Sequence, residues 1–174
     1  MSELRTNRIV PRDGLTSGTG VGGGIIQIKQ TIKKDQFTTA STVSSGGYVD
    51  LTGLSVAITP TRSDSKVLIK AVIYNSNANA VNFFRVLRGS TFIEQPSGTS
   101  SSGANWNAHG FAYYNADNWQ DSTVIEILDS PATTSETTYK IQMAVTSNTG
   151  TINKFYGTSN YYGISTITAM EVSG

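Results

Sequence analysis

The chain has no cysteine. Disulfides and thiolate metal sites are therefore excluded. It has one histidine, His109. A Cys–His pair is impossible, and a zinc site would need carboxylates in place of the usual ligands. Charge is also scarce: 14% of the 174 residues are charged and the net charge is +1, where an average soluble domain has roughly 25% charged residues. That argues against a nucleic-acid binder, which needs clustered Lys and Arg to neutralise phosphates. No apolar run approaches the roughly 20 residues of a membrane span. The polar start, Met1 to Arg8, lacks the apolar core of a signal peptide, so the chain is expected to be made as a soluble cytosolic product. No window repeats apolar residues at i, i+3, i+4 and i+7, so amphipathic helices are not expected.

What the sequence does have is alternation. Leu54, Val56 and Ile58 alternate with Ser55, Ala57 and Thr59, the pattern of a strand with one buried face. Pro60 ends it, because proline cannot donate to a ladder. Arg62 to Ser65 reads as a turn. Val67, Ile69, Ala71 and Ile73 form the next stripe, with Leu68, Val72 and Tyr74 on the opposite face. The two runs read as a hairpin whose second strand is covered on both sides. Asn75 to Ala80 reads as a polar loop. Further strands are expected near Ile25–Ile32 (Ile26, Ile28 and Ile32 on one face), Phe37–Val43, Tyr48–Leu51, Val81–Arg88, Thr91–Glu94, Phe111–Tyr114, Val124–Leu128, Tyr139–Val145, Ile152–Tyr156 and Ile164–Val172. About ten short strands with turn signals between them mean an all-β sandwich or barrel. Many strands are apolar on both faces. A lone sandwich buries one face per sheet, so the excess predicts an oligomer with closed symmetry, preferably a trimer.

Residues 1–24 are different in kind. Isolated apolar residues lead into Thr16 to Gly24, a glycine-rich linker. Gly18, Gly20 and Gly23 satisfy G-x-G-x-x-G, but the strand before and helix after that a dinucleotide site requires are missing. Residues 1–16 read as an attachment arm that orders on docking or as a simple disordered tail. The body occupies 25–174.

Catalytic material is thin. No nucleophile elbow accompanies His109, so a loop histidine is expected. Asp117, Asp121, Glu126 and Asp129, with Trp119 nearby, are the candidates for a glycosidase carboxylate pair; the bland reading is a solvated acidic edge. Asp117, Asn118 and Asp121 do not match a calcium loop. The clearer lead is aromatic–amide clustering: Trp106 and His109 at 105–109, Tyr113, Tyr114 and Trp119 at 113–119, Tyr161 and Tyr162 at 159–162. Such mixtures stack on sugar rings or anchor protein interfaces.

Two sets of phrases resemble a known group. Ser2 to Gly14, with its glycine tether and Ile25-Ile-Gln-Ile28, resembles the N-terminus of small virion proteins of marine and cyanobacterial tailed bacteriophages. Leu51 to Pro60, Ser65 to Ile69, Leu87 to Thr91 and Ser165 to Val172 resemble the β-domain of phage tail-fibre-like proteins. The resemblance implies a jelly-roll-like, C1q-like sandwich, trimeric, with an extended N-terminal arm. It implies a non-enzymatic structural protein of the virion, synthesised in the host cytoplasm, with no cofactor or metal, no nucleic-acid partner and no membrane span. Leu4, Arg5, Arg8, Ile9, Val10 and Pro11 would dock to other virion proteins. The body would be a fibre-like knob, with host-surface contact through the aromatic loops. Alternatives are a capsid decoration protein (head fibre or cement) without a receptor role, and a host glycan-binding or depolymerase module.

Overall fold

The alternation closes into two antiparallel sheets. The computed structural model describes residues 24–45, 47–97, 106–115, 119–154 and 162–173. The strands are β1 (Ile25–Lys33), β2 (Phe37–Thr39), β3 (Val49–Ile58), β4 (Lys66–Asn77), β5 (Val81–Arg88), β6 (Thr91–Phe92), β7 (Gly110–Tyr113), β8 (Trp119–Asp129), β9 (Thr137–Val145), β10 (Gly150–Ile152) and β11 (Ser165–Val172), with one 3-10 turn at Val43–Ser45. There is no α-helix among the described residues, so no helix there is long and apolar enough to cross a membrane.

In the first sheet β4 is central. β8 pairs with one edge of β4 from Val67↔Asp129 to Asn77↔Trp119. The other edge is shared: β11 takes Lys66 to Val72 and β10 takes Asn75 and Ser76. β1 lies beyond β11, and β2 beyond β10. The second sheet runs β3-β9-β5, with β6 and β7 dividing the far edge of β5. Without the short β2, β6 and β10, the orders are β1-β11-β4-β8 and β3-β9-β5-β7, the interleaving of a jelly-roll sandwich.

The core lies between the sheets. Val67, Ile69, Ala71, Ile73, Ile167 and Ala169 face Leu54, Val56, Ile58, Phe84, Val86, Tyr139, Ile141 and Met143, and all are buried. Each large side chain among them contributes roughly 1.5–3 kcal/mol by leaving water.

Three readings of the sequence change. First, β3 and β4 are not a hairpin: they belong to opposite sheets. The Pro60–Ser65 turn is an arch between layers, and buried Glu171 holds it by accepting hydrogen bonds from the Thr61 amide (2.7 Å) and hydroxyl (2.8 Å). Second, the polar run Asn75–Asn77 continues β4, because buried partners satisfy its amides. Asn75 donates to Thr123 Oγ1, Asn82 donates to Asn75 Oδ1 and Asn77 donates to Asn82 Oδ1. Third, the register of β1 slips between Ile25 and Gln27. This bulge adds Ile25, opposite Val172, to the side of the sheet that carries Ile28 and Ile32.

Candidate functional site

Each sheet has an outer face, and the two differ chemically. On the first sheet, strand register aligns Ile28, Met170, Leu68 and Leu128 in one row, and Ile32, Thr166, Val72 and Val124 in another. A polar row, Gln30, Thr168, Lys70 and Glu126, lies between them. The apolar residues at the two flanks are open: Ile28 is 58% exposed, Ile32 49%, Val124 56% and Leu128 46%. Leu68, Val72 and Met170 in the middle are half-buried. The polar row splits this apolar surface, whose open ends leave large aliphatic side chains on water. Lys70 and Glu126 stand 3.8 Å apart on it, both solvent-exposed, so the face carries both signs of charge.

The outer face of the second sheet is aromatic and polar. Ala144, Phe83 and Phe111 form one row across β9, β5 and β7. The Trp106 ring meets Phe83 edge-on at 5.6 Å between centroids, and Phe111 lies 6.2 Å from Phe83 on its other contact. Tyr113 follows Phe111 on the same face, opposite Val81. Phe111 and Tyr113 are 68% and 67% exposed. The next row is polar: Asp50, Gln142 and Arg85. Asp50 accepts from Lys140 Nζ (2.7 Å) and Gln142 Nε2 (2.6 Å), and Gln142 Oε1 accepts from Arg85 Nε (2.9 Å). The Arg85 guanidinium lies 4.0 Å from the Tyr48 ring centroid and 5.3 Å from that of Phe92, a cation–π arrangement. Burial pushes the Tyr48 phenol up to about 12, partly offset by Arg85. Hydrogen bonds from Lys140 and Gln142 hold the Asp50 carboxyl below its ordinary value.

The aromatic–amide residues named from sequence separate in the structure. Trp106 and Tyr113 lie on the second sheet's outer face. His109 is a strut beside it. Its Nδ1 accepts from the Val86 amide (2.8 Å) and its Nε2 donates to the Ile93 carbonyl (2.8 Å), which bridges the gap between β6 and β7 along β5. Burial lowers its pKa, consistent with a neutral ring. Tyr114 is buried, and its hydroxyl donates to Asn75 Oδ1 (2.7 Å). Trp119 is exposed at the start of β8, and Tyr162 is exposed beside its bridge to Lys154. Tyr161 and the arm residues Leu4, Arg5, Arg8, Ile9, Val10 and Pro11 lie outside the described residues.

The described carboxylates do not converge. Asp129 is held by Arg88 (2.8 Å) and by the Tyr139 hydroxyl (2.6 Å). Glu126 is on the opposite face of the same strand, and Asp121 lies eight residues from Asp129, about 27 Å at the rise of an antiparallel strand. Asp117 lies outside the described residues. Among those described, no three His, Cys, Asp or Glu residues are grouped to hold a metal. A cleft of about 560 Å³ follows β8, lined by Glu94, Ala108, His109, Val124, Glu126 and Leu128 among others. Both ring nitrogens of the histidine there are already engaged.

Sequence reasoning missed Phe111, Tyr48, Asp50 and Gln142 as surface partners. The available signal was β5, where Phe83 and Arg85 share a parity opposite to Phe84 and Val86.

No family model matches the chain, and no curated protein matches it. Among solved structures, a chain described as the tripod from the baseplate of bacteriophage Tuc2009 is similar over 98% of this chain and 82% of its own length. The identity is 10% and the TM-score 0.36. A likeness of that degree does not identify a shared fold.

Proposed function

We propose that this chain is a structural protein of a phage particle: a homotrimeric, fibre-like knob fixed to the particle by residues 1–16. The observation that carries assembly is the outer face of the first sheet. Two mainly apolar rows, one interrupted by Thr166, cross its four strands and leave Ile28, Ile32, Val124 and Leu128 on water. Another copy is the occupant whose chemistry fits, because it supplies the same apolar rows and both a lysine and a glutamate. The resemblance of the N-terminal and β-domain phrases to phage fibre-like proteins supports the number three and the attachment role of the arm. The role is non-enzymatic. Its support is the scarcity of catalytic side chains and the scattering of the described acids over different faces and ends of β8.

Deletion of residues 2–16 tests the arm. The truncated protein is expected to fold and keep its assembled mass, yet be missing from purified particles. Incorporation at the level of the full chain would sink the attachment role. Labelling the protein on intact particles by electron microscopy separates a tail knob from a capsid decoration protein.

A further inference from the structure

We infer that the outer face of the second sheet is a saccharide-binding platform, with Phe111, Tyr113 and Trp106 as its stacking surface and the hydrogen-bonded chain Arg85–Gln142–Asp50–Lys140 as its polar rail. The inference stands on this face alone. It does not depend on how the chain assembles or where it is carried.

Three observations point to a sugar rather than a protein occupant. First, the apolar groups are flat. Phe111 and Tyr113 are two-thirds exposed on the short strand β7, whereas the first sheet offers branched aliphatic side chains. A planar ring covers the apolar C–H face of a pyranose, and aliphatic rows instead suit interdigitation with similar rows. Second, the polar row is fixed before any ligand arrives. Lys140, Asp50, Gln142 and Arg85 form an unbroken hydrogen-bonded chain. Arg85 is further held against Tyr48 and Phe92. Pre-set side chains lose little freedom on binding. Third, the rail still has bonding capacity. Lys140 Nζ has three protons and its side chain is partly exposed; Asp50 is half exposed and retains lone pairs. Donor and acceptor side by side match a sugar hydroxyl, which needs both.

The two rows are adjacent on β5, at Phe83 and Arg85. Same-face neighbours on a strand are about 7 Å apart. Phe83 and Ala144 are themselves buried in a small cluster with Val43, Tyr48 and Ala108, so an oligosaccharide that meets both the exposed rings of β7 and the rail passes over that cover. The Trp106 segment is fastened to this face as well: the Tyr48 hydroxyl donates to the Asn107 carbonyl at 3.0 Å. The platform therefore belongs to the sheet and not to a free loop.

Saturation-transfer NMR on the full chain tests this, with trisaccharides of glucose, galactose, N-acetylglucosamine and rhamnose as probes. At least one is expected to receive saturation at its ring C–H protons. The double variant Phe111→Ala/Tyr113→Ala is expected to weaken that binding by about tenfold or more, with an unchanged unfolding midpoint because both side chains are on the surface. Lys140→Ala is expected to weaken it independently. Trp119→Ala and Tyr162→Ala, which remove rings outside the platform's rows and rail, should leave it unchanged. Transfer to none of the four probes would overturn the inference. So would binding that survives the Phe111/Tyr113 variant but is lost on Trp119→Ala or Tyr162→Ala. A change in molar mass of the Phe111/Tyr113 variant, without any sugar binding by the parent, would instead make this face a subunit contact and overturn it too.

Discussion

At the residue scale, Tyr114 shows how a polar end to the sandwich is kept stable. Its hydroxyl enters the buried end of the core between the sheets and donates to Asn75, which also receives Asn82. Burial pushes the phenol well above its ordinary pKa, so the hydroxyl keeps its proton. Tyr114→Phe keeps the ring and removes one donor from a buried network. The expected loss is about 1–2 kcal/mol in a denaturant titration. An unchanged midpoint would mean that Asn75 finds another donor. This residue was also the hardest to place from sequence. Tyr113 and Tyr114 are adjacent and chemically alike. Only strand parity separates an exposed surface ring from a buried anchor, and β7 is four residues long, too short for its own pattern to set the phase.

At the element scale, the arch between β3 and β4 depends on β11. Glu171 is buried and receives Gln27 Nε2 (2.6 Å) as well as both Thr61 donors. Burial pushes its carboxyl up, but these hydrogen bonds outweigh it and hold the pKa at about 2, below the ordinary 4.5. The carboxyl titrates lower in the folded chain than in the unfolded one. Its stabilisation is therefore complete above about pH 4.5 and is lost as pH falls through about 2. Glu171→Gln is expected to lower stability at pH 7 by about 1–3 kcal/mol and to flatten the decline between pH 4.5 and 2. Parallel pH curves for the two proteins would contradict this role. Strand existence was legible for these elements because Leu54–Ile58 and Val67–Ile73 alternate cleanly. Their pairing was not. A short polar turn after Pro60 serves a hairpin and an inter-layer arch equally well, and the deciding contact comes from Glu171, more than a hundred residues away. The end of β4 was hidden for a related reason: Asn75 to Asn77 has the composition of a loop, and only partners at Asn82, Tyr114 and Thr123 make it a strand.

At the scale of the whole molecule, the double-sided pattern of β4 was the most informative feature of the sequence. Its inner stripe became core, and its outer stripe became the middle of an apolar face shared by four strands. The second sheet's polar rail escaped notice because it is assembled from three strands: Asp50 from β3, Lys140 and Gln142 from β9 and Arg85 from β5. Under the two proposals, the sheets divide the tasks: the aliphatic face serves self-association and the aromatic one sugar.

Molar mass in solution, by light scattering on the full chain and on the double variant Val72→Lys/Val124→Lys, tests assembly most directly. Both substitutions lie in one row of the first sheet's outer face and leave the core untouched. The expected result is three times the 18.6 kDa chain mass for the parent and a folded single chain for the variant. A parent that is a single chain at micromolar concentration, or a variant that keeps the parent's mass, would contradict the account.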